Sequence, residues 1–130
     1  MTYTLAIPIF NEEKNIKNLV NAINNSFLIN DSTCIKILLV NDGSVDRSKS
    51  LIKLNIKKNH KILLLSHKKN MGYGAALKTA IKYSKNKSDY IIFTDSDLTN
   101  PIEDIRKISI FMKQDVDYIQ ANRYKNNKDN

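Results

Sequence analysis

Apolar residues fall along the chain in two alternating patterns: short continuous runs, and longer stretches in which they recur three or four positions apart. Tyr3–Phe10 is an apolar run that predicts a first strand, and Ile35–Val40, Lys61–Leu65, Tyr90–Thr94 and Tyr118–Ala121 predict four more. Between them, Glu12–Phe27 carries Ile16, Leu19, Val20, Ile23 and Phe27 at helical spacing. Asp46–Lys58 does the same with Leu51, Ile52, Leu54 and Ile56, and Tyr73–Lys85 with Ala76, Leu77, Ala80 and Ile81. Pro101–Met112 reads as a fourth helix with proline at its start. The fold class is therefore α/β, with strictly alternating β-α units. Strands this continuously apolar are covered on both faces, which predicts a mostly parallel sheet with helices on each side.

In such a sheet ligands bind outside the carboxyl ends of the strands, near the point where strand order reverses. Polar groups gather at those ends: Asn11-Glu12 after the first strand, Asn41-Asp42-Gly43-Ser44 after the second, and Asn70-Met71-Gly72-Tyr73-Gly74 after the third. Asp95-Ser96-Asp97 follows the fourth and Asn122-Arg123-Tyr124 the fifth. Two carboxylates at i and i+2 can aim at one point and supply the oxygen ligands a hard cation needs, with phosphate and water filling the rest. The same residues suit a plain turn into a helix. Asn41–Ser44 is open to two readings as well. It can be a tight turn in which Ser44 or Asp46 caps the next helix, or Asp42 can accept hydrogen bonds from a nucleobase edge. The Asn70–Gly74 segment is similar to a phosphate-cradling loop, but lacks the lysine and serine of a P-loop. His60 and His67 have no ligand-like spacing and read as loop or strand-edge residues.

At 130 residues one domain is expected, over residues 1–124, with a polar tail at 125–130. The formal charge of +8 raises a nucleic-acid partner, but the lysines are spread over several helices and loops, so no nucleic acid is expected. A solvated basic surface is the plainer reading, and attraction to anionic headgroups or phosphorylated substrates stays open. The single cysteine, Cys34, excludes a disulfide framework and fits a reducing, cytoplasmic setting. No signal peptide is expected, and the longest apolar runs are far too short for a membrane span.

Four motifs in this order resemble the family 2 glycosyltransferases, whose nucleotide-binding core is the GT-A fold. They are Pro8-Ile9-Phe10-Asn11-Glu12, Asn41-Asp42-Gly43-Ser44 with Asp46, Asn70-Met71-Gly72-Tyr73-Gly74-Ala75, and Asp95-Ser96-Asp97-Leu98. The pattern is closest to polyprenyl-phosphate mannose or glucose synthases, which also carry an Arg-Tyr, here Arg123-Tyr124. Asn41 stands where many relatives have aspartate, and Thr99 where the polyprenyl-phosphate enzymes carry glutamine.

The resemblance implies an inverting hexosyltransferase that moves a sugar from a UDP- or GDP-linked donor to a polyprenyl phosphate or a glycan. Such an enzyme would serve lipid-linked sugar or envelope polysaccharide synthesis. It implies Mg²⁺ or Mn²⁺ as cofactor and work at the inner face of the membrane. By the same resemblance Pro8, Phe10 and Glu12 hold the nucleoside, Asp42 contacts the base, Asp95 meets the ribose or metal, and Asp97 holds the metal. Asp95 and Asp97 are thus the expected catalytic pair, and Arg123 lies near the phosphates or the acceptor phosphate. Family catalytic domains continue past this length, so a truncated nucleotide-sugar-binding portion is expected, and a remnant without turnover is the alternative. A phosphoacceptor receiver domain fits less well, because Ser66-His67-Lys68 offers no aspartate after the third strand.

Overall fold

Leu5, Ile7 and Ile9 point to one side of the first strand and Ala6 to the other, and all four are buried. That strand, β1 (Tyr3–Ile9), is the hub of the computed structural model, which describes residues 1–56, 59–99, 101–114 and 116–118. The order continues as α1 (Ile16–Asn24), β2 (Cys34–Asn41), α2 (Ser48–Asn55), β3 (Ile62–Ser66), α3 (Tyr73–Ser84), β4 (Tyr90–Phe93) and α4 (Glu103–Phe111), with short 3₁₀ turns at Phe27–Ile29 and Met112–Gln114. The strands lie in the order β3-β2-β1-β4, every neighbouring pair parallel. The expected alternating parallel α/β architecture is what the chain adopts.

Register carries the alternation across the sheet. Leu5 pairs with Ile37 and Ile92, and Ile37 with Ile62, all on one face. Ala6 pairs with Leu38 and Phe93, and Leu38 with Leu63, on the other. The first face packs against Ile16, Leu19, Val20 and Ile23 of α1, Ile52 of α2 and Ile105 of α4. Each such Leu or Ile, fully buried, contributes about 1.5–3 kcal/mol. The second face is covered by α3 through Ala76 and Ala80, whose small side chains bring that helix close to the strands. Cys34 lies in the larger core, where burial pushes its thiol up to about 11.

Helix ends are shorter than their apolar spacing predicts, and local hydrogen bonds explain why. Glu12–Asn15 forms a turn instead of the first turn of α1: the carbonyl of Glu12 accepts from the backbone of Asn15 and Ile16, and its carboxylate from the Asn15 amide at 2.7 Å. Ser26 donates to the Ile23 carbonyl and accepts from the Leu28 amide, which diverts the chain before Phe27. Of Ser44 and Asp46, the two expected caps of α2, neither is its N-cap, which is Arg47; Asp46, one residue earlier, accepts from the Ser48 amide at 2.9 Å. Of the strand expected over 118–121, only Tyr118 is described, and it is exposed and lies in no strand. Residues 119–130 lie outside the described residues, Arg123, Tyr124 and the whole tail among them. Among the described residues no helix is long and apolar enough to cross a membrane.

The chain passes from β1 to β2 to β3 in one direction, then crosses back so that β4 lies on the other side of β1. Strand order therefore reverses between β1 and β4, where a crevice forms at the carboxyl ends. Pro8 sharpens it. Backbone groups alternate sides along β1, with Ala6 O accepting from Thr94 and Ile9 O from Asp42, so Pro8 faces the β4 side. Pairing with β4 has already ended at Ala6–Phe93, so the missing N–H of Pro8 costs no ladder bond.

Candidate functional site

Three of the four strand-end segments are tied into one unit. Asn11, in the left-handed region at φ 51°, donates its backbone N–H to Ser44 Oγ at 2.9 Å, and its side-chain oxygen accepts from the Val45 amide at 2.9 Å. The Glu12 amide donates to Ser48 Oγ at 2.8 Å and the Glu13 amide to Asp46 Oδ2 at 3.2 Å. Phe10, just before them, is 44% exposed. The exposed Glu13–Arg47 ion pair adds little by itself.

Asp42 joins this pair of loops to the third. It is only 4% exposed, and its carboxylate accepts from the amides of Met71 and Gly72, both at 2.9 Å, and faces His67 Nδ1 at 2.8 Å. Gly43, at φ 65°, lets the two loops touch: a Cβ there would lie 2.1 Å from the Lys69 carbonyl carbon. Asn41 is buried too, and its side-chain oxygen accepts from the Ser44 amide. Burial opposes ionisation of Asp42 and Asp46. The bonds from His67, Met71 and Gly72 to the first, and from Ser48 and Glu13 to the second, outweigh it and hold both carboxyls below their ordinary range.

A carboxyl lowered in the folded state contributes stability above its unfolded value, and that contribution is lost as pH falls through the folded value. The loop assembly should therefore hold constant stability above about pH 5 and weaken progressively below about pH 4. Thermal melts of the wild type and of Asp42→Asn/Asp46→Asn across pH 2–7 check this: the variant should melt lower at pH 7 and show a shallower acid limb. Parallel acid limbs would show that these two carboxylates do not carry it.

Across the end of β1, the fourth segment leaves β4. Asp95 and Asp97 are exposed while Ser96 between them is buried, so both carboxylates lie on the solvent side. Leu98 adopts φ 58° and packs against the core, and Asp97 Oδ1 accepts from the Thr99 amide at 3.0 Å, closing the turn. This all-oxygen pair suits a hard divalent cation. Among the described residues no group of three or more His, Cys, Asp or Glu side chains is arranged to hold a metal ion. A cavity of about 590 Å³ between Phe27, Asp31, Arg106 and Met112 lies at the opposite, amino end of the strands.

Pro8, Phe10, Glu12, Asp42, Asp95 and Asp97 thus all fall at the carboxyl edge of the sheet, and Arg123 lies outside the described residues. His67, read from sequence as a loop or strand-edge residue, lies just past β3 and is bonded to Asp42. Its signal was register: β2 and β3 are parallel neighbours with Asn41 opposite Ser66, which sets residue 67 beside residue 42.

The family model of glycosyl transferase family 2 matches residues 4–130. The chain belongs to this family. It is 34% identical to an uncharacterised glycosyltransferase of Bacillus subtilis, over 79% of this chain and 32% of that one. It is 31% identical to the UDP-N-acetylglucosamine–dolichyl-phosphate N-acetylglucosaminyltransferase of Methanococcus voltae, over 96% of this chain and 53% of that one. The chain thus spans between a third and about half of these relatives' length. A mannosyltransferase from Pyrobaculum calidifontis, solved with GDP-Man and Mn²⁺, shares the fold at a TM-score of 0.66 and 18% identity, over 83% of this chain and 31% of that one.

Proposed function

We propose that this chain is the donor-binding part of a metal-dependent glycosyltransferase that takes a UDP- or GDP-linked sugar and passes it to a polyprenyl phosphate or a glycan. The observation that carries the reading is the gathering of four polar segments around the end of β1, in a chain of family 2. Relatives named for dolichyl-phosphate acceptors and a fold neighbour solved with GDP-Man and Mn²⁺ support it.

In this reading the nucleoside lies in the crevice opened at Pro8, against Phe10 and the Glu12 turn. Asp42 accepts from the base edge through the acceptor direction its three internal bonds leave. Asp95 and Asp97 hold Mg²⁺ or Mn²⁺, which supplies charge stabilisation for the departing diphosphate. Arg123 serves the phosphates. An acceptor that is itself a lipid phosphate would bring the protein to the membrane face, where its basic surface is an advantage.

Thermal melts with UDP or GDP, each with Mg²⁺ or Mn²⁺, test the donor site. At ten times Kd the linked stabilisation is about 1.4 kcal/mol, which in a domain of this size raises Tm by several degrees. No shift with either nucleotide and either metal at millimolar levels would overturn the assignment.

A further inference from the structure

We infer that His67 is a positioning residue of the donor site: its ring ties the Asp42 carboxylate to helix α3 and so holds the Asn70–Gly72 turn in place. Only the last step, from a fixed turn to nucleotide affinity, rests on the function proposed above.

The His67 side chain is 11% exposed and is bonded at both ring nitrogens. Nδ1 lies 2.8 Å from Asp42 Oδ1, and Nε2 lies 2.7 Å from Thr79 Oγ1. An ionised carboxylate only accepts, so Nδ1 donates to Asp42. Nε2 is bonded to the Thr79 hydroxyl, which also reaches the carbonyl of Ala75 at 3.0 Å. The ring thus bridges two fixed groups.

What makes this a positioning device is where the other bonds of Asp42 go. The amides of Met71 and Gly72 tie the carboxylate to the turn alone, so without a further bond the carboxylate side chain is free to swing and those two bonds open more often. His67 leads elsewhere. Thr79 belongs to α3, and Ala76 and Ala80 of that helix are packed against the sheet. The backbone N–H of His67 also continues the ladder to Asn41 O at 2.9 Å, which fixes the ring's own base. The turn is thereby referenced to helix and sheet at once, as a preorganised site requires.

Two substitutions separate this role from packing. Asparagine places its amide nitrogen near the position of Nδ1, and glutamine near that of Nε2. His67→Asn therefore keeps the bond to Asp42, and His67→Gln keeps the bond to Thr79 and gives up the one to Asp42. Amide hydrogen exchange is read at Met71 and Gly72, with core Leu39 as reference. Exchange at the two turn amides should quicken about tenfold in His67→Gln, stay near the wild-type rate in His67→Asn, and leave Leu39 unchanged in both. UDP or GDP affinity with Mn²⁺ should follow the same order, with a loss of about tenfold in His67→Gln alone.

Equal exchange rates in the two variants, or unchanged turn amides in His67→Gln, would overturn the tie. Equal nucleotide affinities in the two variants of a chain that binds would overturn the positioning role. The expected exchange pattern in a chain whose wild type binds neither nucleotide upholds the tie and overturns the donor-site reading alone.

Discussion

Asp97→Asn should remove the metal-dependent part of nucleotide affinity and leave the fold intact. The side chain is exposed beyond β4, and its Oδ1 closes the local turn by accepting from the Thr99 amide. An asparagine oxygen can accept the same bond, so the turn keeps its shape while the anionic charge is lost. A hard cation bound through only two carboxylates depends on both. Calorimetric titration with UDP or GDP should show wild-type affinity at least about tenfold higher with Mn²⁺ than with chelator, a difference of about 1.4 kcal/mol, and a ratio near one in the variant. Asp42→Ala should weaken binding to a similar degree with metal and without it. A full metal effect in Asp97→Asn, or metal-independent losses of equal size in both, would show that the two carboxylates are not divided in this way.

The placement of these carboxylates at one edge can be read from the sequence because each stands within a few residues of an apolar run, whereas their separate roles are what the resemblance to family 2 implies. An alternating chain whose runs are four to eight residues long fixes the sheet type, and the sheet type fixes which strand ends face a ligand. That reasoning placed Asp42, Asp95 and Asp97 at one edge without any knowledge of contacts. It could not say which loops touch. The bonds from Asn11 to Ser44, from Glu13 to Asp46 and from Met71 to Asp42 each span about thirty residues, and they depend on strand order. His67 illustrates the difference: nothing within three residues of it marks a partner, and its bond to Asp42 follows only from the parallel pairing of β2 with β3. Helix ends were misjudged for a similar reason. Spacing alone extends α1 from Glu12 to Phe27, whereas side-chain bonds at Glu12 and Ser26 compete with the helix at both ends.

Gly43→Ala should be the most damaging single methyl in the chain. The backbone there is left-handed at φ 65°, which by itself costs an alanine about 1 kcal/mol. The larger effect is contact. The added Cβ would lie 2.1 Å from the carbonyl carbon of Lys69, 2.3 Å from the amide nitrogen of Asn70 and 2.5 Å from the Lys69 oxygen. These are backbone atoms, so no side-chain rotation relieves the overlap, and the Asp42 loop must part from the Lys69–Asn70 segment. Parting them strains the bonds from Met71 and Gly72 to Asp42, leaving a buried carboxylate short of donors. The loss should exceed about 4 kcal/mol, a fall in Tm of more than roughly 10 °C for a domain of this size. Gly74→Ala is the control, because Gly74 lies in the first turn of α3 with nothing within 4 Å of its Cβ position. That substitution should be neutral or stabilising by up to about 1 kcal/mol. Thermal melts of the two variants decide the matter. If Gly43→Ala melted as high as Gly74→Ala, the second and third loops could not be in the contact that ties Asp42 to the Lys69–Gly72 segment.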